Sequence, residues 1–174
     1  PLNQEALCLH IPALHARGVE INYSGECSAA VVTFADAALE DALRAALARP
    51  HQPILDAMLA GLTALDASYA AISDWSDLAY CTALSALNLA GNALSDVSML
   101  RRLENLEQLN LADNRIEHIT PLLDNPGLGQ GDTLDLRRNP LGQHALCRDI
   151  ALLQARGVEV LYSGDCSARP LAFA

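Results

Sequence analysis

The stretch LSALNLAGNALSDVSML, running from Leu84 to Leu100, is followed 22 residues later by LEQLNLADNRIEHITPL, from Leu106 to Leu122. Leu84, Leu87, Leu89, Asn92 and Leu94 of the first fall in register with Leu106, Leu109, Leu111, Asn114 and Ile116 of the second. A degenerate copy, LTALDASYAAISDWSDL, opens at Leu62 and places Ala67 and Ala70 at the second-leucine and asparagine positions. A fourth follows a three-residue insertion near Gly127 to Asp132 and restores the pattern with Leu134, Leu136, Asn139 and Leu141. A fixed period of this length is the mark of a stacked array, in which each unit buries its apolar face only against its neighbours. The alternating leucines predict a short strand with one face buried, and the later ones turn the chain back across the core. Leu87, Leu89, Leu109, Leu111, Leu134 and Leu136 are therefore expected inside. The asparagine has a mechanical task, because its amide can bond backbone groups that a tight bend leaves unpaired.

A longer period encloses the short one. PLNQEALCLHIPALHARGVEINYSGECSA, Pro1 to Ala29, returns 139 residues later as PLGQHALCRDIALLQARGVEVLYSGDCSA, Pro140 to Ala168. Leu7, Ile11 and Leu14 share a helical face, as do Leu146, Ile150 and Leu153, and Arg-Gly closes each helix. Pro12 implies a kink or a fresh helical start. VEINYSG and VEVLYSG then alternate as strands, each ending in a turn. Leu39, Leu43 and Leu47 repeat at helical spacing between Asp36 and Ala48, with Pro50 beyond, which predicts a helix that covers the open end of the array. The expected organisation is residues 1–35 as the tail of a preceding module or an N-terminal cap, 36–61 as a capping helical segment, and 62–174 as the repeats with a C-terminal helix-strand cap. The chain opens at Pro1 without an initiator methionine or signal peptide, which reads as a mature product or a piece of a longer protein.

Composition narrows the function. The 174 residues are 51% hydrophobic, enough for a core, and 11 basic residues, all arginine, face 21 acidic ones for a net charge of −10. No stretch approaches about eighteen uninterrupted apolar residues. Nucleic-acid partners and membrane insertion are thus disfavoured.

The L-x-x-L-x-L-x-x-N-x-L spacing, with its 22-residue length and the endings SDVSML and HITPL, resembles the bacterial internalin-type leucine-rich repeats. That resemblance covers Leu62 to Leu141 and implies an α/β leucine-rich-repeat solenoid: a curved parallel sheet on the concave side, short turns or 3₁₀ segments on the convex side, and helical caps. It also implies a binding role, usually extracellular. No immunoglobulin-like partner domain or wall-sorting tail is visible, so a host-receptor function is not carried over.

Five cysteines are an odd number, but the long period pairs Cys8 and Cys27 with Cys147 and Cys166 and leaves Cys81 alone. Cys81 occupies the position of Leu103, an apolar core site. The helix after Cys8 rises about 15 Å and the returning strand descends about 20 Å, so a bridge within each copy is geometrically allowed, as is the alternative of five reduced core thiols. Caps of leucine-rich ectodomains often carry disulfides, and the resemblance favours the bridges Cys8–Cys27 and Cys147–Cys166 and an extracellular or cell-surface setting. His10 and His15 near Cys8 become Asp149 and Gln154 in the second copy, and no metal-ligand spacing, nucleophile motif or phosphate loop occurs. We expect no enzyme activity, cofactor or metal.

Candidate ligand-binding residues lie on the strand positions between the leucines. Asp66, Asn88, Asn110 and Asp135 form a polar ladder, with Glu159 expected to continue it. Ala64, Ala86, Gln108 and Thr133 flank it on one side, and Ser68, Ala90, Ala112 and Arg137 on the other; large aromatics are nearly absent, Tyr69 and Tyr162 being the exceptions. The expectation is a recognition or adhesion module that takes a protein or glycan on this face. The alternatives are a structural spacer or self-assembling tandem stalk with weak head-to-tail contacts, and an intracellular scaffold, which would need free thiols at the paired cysteines.

Overall fold

The computed structural model describes residues 2–23 and 26–166. Five three-residue strands, β1 (Ala64–Asp66), β2 (Ala86–Asn88), β3 (Gln108–Asn110), β4 (Thr133–Asp135) and β5 (Glu159–Leu161), form one parallel sheet in chain order. The first two crossovers return along the far side through 3₁₀ turns at Ser76–Tyr80 and Ser98–Arg102, the third through the helical turn α4 (Thr120–Leu123), and the fourth through the helical segments Ala145–Asp149 and Ile150–Ala155. The chain is thus a leucine-rich-repeat solenoid, one turn per repeat.

The core is a column of layers that the repeat spacing dictates. Leu65, Leu87, Leu109 and Leu134 point inward from facing strand positions, and Leu89, Leu111 and Leu136 follow them; all are at most 3% exposed. Cys81 sits at 0% exposure in the same core as Leu59 and Leu103. Burial without a polar partner pushes its thiol pKa up to about 12.

The repeat asparagines stitch one turn to the next. Asn92 donates from Nδ2 to the carbonyls of Ala67 (3.0 Å) and Leu89 (3.0 Å), while its Oδ1 accepts the Ile72 N–H (3.0 Å). Asn114 does the same with Leu89, Leu111 and the Leu94 N–H, and Asn139 with Leu111, Leu136 and the Ile116 N–H. Each amide therefore bonds its own repeat and the one before it. The first repeat has no repeat before it to stitch, and there the sequence places Ala70.

The open end of the array is covered by α2 (Ala37–Ala46) and α3 (Asp56–Ala60). Leu39 and Leu43 of α2 are fully buried in the common core. Asp36 caps α2, its carboxylate accepting the N–H groups of Ala38 and Leu39, and it also accepts from the N–H and hydroxyl of Ser73 and the N–H of Asp74. One carboxylate so fastens the cap to the first repeat, and these donors hold its pKa well below the ordinary carboxylate range.

The duplicated segments share their local structure. A π-helical turn, Ala6–His10, runs into α1 (Ile11–His15), and its counterpart, Ala145–Asp149, runs into α5 (Ile150–Ala155). Pro12 lies in the first turn of α1, the fresh helical start expected there. Disulfides join Cys8 to Cys27 and Cys147 to Cys166, with Cα–Cα separations of 4.8 Å in both. After the first helix the chain leads through Val31, bridged to Leu55, and Val32, whose N–H donates to the Ile54 carbonyl (2.9 Å), into the core that holds Leu39 and Leu43. An ion pair between Arg49 and Glu5 ties the segment to the cap. One expectation fails here: VEVLYSG supplies β5, but the 19–22 stretch of VEINYSG forms no strand, because among the described residues no strand edge lies beside it to take its hydrogen bonds.

Candidate concave-face binding site

The strand residues that flank the inward leucines open onto the concave face. There they line an open groove of about 830 Å³, with Asp66, Ala86, Asn88, Gln108, Asn110 and Asp135 on its floor and Ala42, Ala45 and Ala46 of α2 at one end. Ala64 pairs with Ala86, Ala86 with Gln108, and Gln108 with Thr133, forming one line; Asp66, Asn88, Asn110 and Asp135 form the parallel line beside it.

Glu159 belongs to the other line. It pairs with Thr133, and Leu161 stands opposite Asp135. The single inward residue of β5 is Val160, opposite Leu134, so its two outward neighbours separate: Glu159 extends the Gln108–Thr133 line, and the apolar Leu161 ends the polar ladder. Glu159 does not line the groove, whereas Leu161 does.

The ladder carboxylates and amides also have a local role that spacing did not reveal. Asn88 Oδ1 accepts the Ala90 N–H (3.2 Å), and Asn110 Oδ1 accepts the Ala112 N–H (3.1 Å). Asp66 accepts the N–H (3.0 Å) and hydroxyl (2.7 Å) of Ser68. Asp135 accepts the N–H of Arg137 (3.0 Å) and bonds from its guanidinium Nε, shared between both carboxylate oxygens, and from its terminal nitrogen. A short side-chain acceptor satisfies an N–H two residues on, where the strand bends away, which is why Asp or Asn recurs there. These bonds, with the Arg137 cation beside Asp135, lower the pKa of Asp66 and Asp135.

The third line therefore does not face the groove. Ala90 and Ala112 are buried, and Ser68 and Arg137 stand beyond the strand ends, bound to the carboxylates before them. Tyr69 lies on this rim, 70% exposed, with left-handed backbone (φ +53°). Its ring fills the space over Gly91 that a β-carbon would occupy, and its hydroxyl lies 3.4 Å from Asp113, which in turn pairs with Arg138 (2.5 Å). Among the described residues no group of three or more His, Cys, Asp or Glu side chains could hold a metal, and no helix is long and apolar enough to cross a membrane.

No protein-family model matches the chain, and no curated protein matches it significantly. Solved structures do. An internalin F from Listeria monocytogenes is similar at 28% identity and a TM-score of 0.56, over 62% of this chain and 32% of that one. The functional domain of internalin J from the same organism, described as including a cysteine ladder, is similar at 25% identity and a TM-score of 0.50, over 63% of this chain and 26% of that one. The matches thus span about a third or less of those relatives. Spacing, sheet and neighbours agree: this chain is a leucine-rich-repeat protein similar to the bacterial internalins.

Proposed function

We propose that the protein is a non-enzymatic recognition or adhesion module that binds a protein or glycan partner in the concave groove. The observation that carries this reading is the groove itself. It runs across the sheet from the alanines of α2 to Leu161, floored mostly by short side chains. Such a floor admits an extended chain segment or a saccharide, with Asn88, Gln108 and Asn110 offering amide donors and acceptors and Ala64 and Ala86 offering apolar contact. Asp66 and Asp135 already engage their own turns, so they serve the groove as fixed negative charge, favouring partners with donor groups over anionic ones. The net charge of −10 argues in the same direction, against nucleic acid. Two disulfides favour an oxidising, extracellular or cell-surface location.

The test fills the groove. Ala86→Trp and Gln108→Trp project bulk from neighbouring strands into the groove without touching the leucine core, so thermal stability is expected to stay close to that of the parent. Binding to glycan arrays and to displayed extracellular proteins is expected to be lost in both. Signals that persist unchanged in both variants would overturn the groove reading, and a parent chain that gives no signal would favour the second one, a tandem spacer without a dedicated ligand, which the duplicated segment supports.

A further inference from the structure

Two closely similar segments occur in this chain in different surroundings, and the difference points to an interaction surface. In the second copy Leu153, Val158 and Val160 are 0%, 3% and 7% exposed, packed against the last repeat. The Glu159 N–H donates to the Asp132 carbonyl (2.8 Å), and the Leu161 carbonyl accepts from the Leu136 N–H (2.7 Å). Arg156 reaches the Leu123 carbonyl (2.7 Å), and a β-carbon on Gly157 would stand 2.9 Å from Gln130 Cα. Leu14, Arg17, Gly18, Val19, Glu20 and Ile21 repeat these features in the first copy, and no repeat stands beside them among the described residues. Leu14 and Val19 are 36% and 45% exposed, and Ile21 is half-buried. Residues 19–22 hold no strand partner among the described residues. Gly18 keeps the left-handed φ of +78° with nothing within 4 Å of where a β-carbon would lie.

The side of the first copy at Leu7 and Ile11 is already buried. The disulfide is closed, Leu7 and Ile11 are 6% and 5% exposed, and Gln4 Oε1 accepts the N–H groups of Ser28 (2.9 Å) and Ala29 (3.3 Å). Leu14, Val19 and Ile21 are more exposed than their counterparts Leu153, Val158 and Val160, which meet a repeat stack.

We propose that the face formed by Leu14, Val19, Ile21 and the strand edge of residues 19–22 receives the last turn of another leucine-repeat stack, of the kind formed here by residues 120–139, joined ahead of residue 1. The occupant is specified by the second copy: an inward leucine at the place of Leu134, a strand edge at the place of Asp132–Asp135, and a turn that seats the glycine. Residues 1–29 then serve as closing turn and last strand of one stack and as the base of the cap of the next, which makes the protein one link in an array of modules 139 residues apart. This stands independently of what the concave groove binds.

Two measurements test it. In the 174-residue chain, Leu14→Asp and Val19→Asp are expected to leave the melting temperature nearly unchanged while Leu153→Asp lowers it sharply; equal losses would overturn the proposal, since the face would already be in use. In a chain carrying a second copy of residues 36–139 directly ahead of residue 1, the amides of residues 19–22 are expected to exchange at least about 100-fold more slowly, and Leu14→Asp to become as damaging as Leu153→Asp. An extended chain in which those amides exchange as fast as before, whether because the added stack fails to fold or because it folds apart, would also overturn it.

Discussion

Replacing Asn114 by alanine tests the stitching of one repeat to another. Asn114 is 6% exposed, and its side chain accepts from the Leu94 N–H (3.1 Å) and donates to the carbonyls of Leu89 (2.9 Å) and Leu111 (3.0 Å), with a further contact to the Ala112 carbonyl (3.1 Å). Those two carbonyls keep a second amide, from Asn92 and Asn139 respectively, but the Leu94 N–H is bonded only to Asn114. One stranded buried donor is worth about 1–3 kcal/mol and each lost bond about 1 kcal/mol, so Asn114→Ala should destabilise by roughly 3–5 kcal/mol. Asn110→Ala is the internal control, because it sits four residues earlier on the groove and loses only its bond to the Ala112 N–H, worth about 1 kcal/mol. Urea unfolding followed by far-ultraviolet circular dichroism reads the difference, provided the slope with denaturant is unchanged. Losses for the two variants that agree within about 0.5 kcal/mol would refute the stitching role.

Thiol counting on the unfolded, unreduced chain should return one thiol, and Cys81, buried with its pKa raised to about 12, should resist alkylation at pH 8 until the chain unfolds; five thiols would remove both bridges. Leu109→Ala should cost about 2–5 kcal/mol in the same urea assay, because the side chain is 2% exposed between Leu87 and Leu134; a loss no larger than that of Asn110→Ala would shift the strand register by one residue. Asp36 is held ionised by its five donors, so its folded pKa lies below the unfolded value near 3.9; the stability it contributes is complete above about pH 4 and is lost as the pH falls through the folded value. Asp36→Asn should therefore be less stable than the parent at pH 7 and lose less on acidification toward pH 2, and parallel acid profiles would contradict this. Gly157→Ala should lower the melting temperature more than Gly18→Ala: both backbones are left-handed, but only Gly157 is crowded by Gln130, and equal shifts would deny that contact.

The parts of the fold legible in the sequence are those set by periodicity. Leucines at fixed intervals place the strands, the inward column and the asparagine stitches, because each depends on a residue type recurring one turn later. Register at the end of the array was not legible. The last strand follows a helix instead of a repeat, so no leucine spacing aligns Glu159 with Thr133; only the observation that Val160 is the single inward residue of a three-residue strand could have done so. The double role of the ladder was hidden for another reason. An exposed Asp or Asn in a strand looks like a ligand, yet its acceptor is directed at its own chain two residues on, and the recurring Asp or Asn two places before Ser68, Ala90, Ala112 and Arg137 was the available signal.

The duplicated segment separates what a sequence specifies alone from what it specifies only beside a neighbour. Both copies form the same π-helical turn, the same helix and the same disulfide, in one case on the last repeat and in the other on the cap. Those features rest on bonds within about twenty residues, and the surroundings do not alter them. The strand behaves differently. Val158 and Val160 are buried and the segment pairs with β4, whereas Val19 stays half in water and its segment pairs with nothing described, although VEINYSG alternates as well as VEVLYSG. A strand's hydrogen bonds lie outside itself, so alternation states a capacity that a neighbouring edge must complete. The helix and bridge at residues 6–27 are thus expected to form in any module that carries this sequence, and the strand only in one whose leucine stack stands beside it.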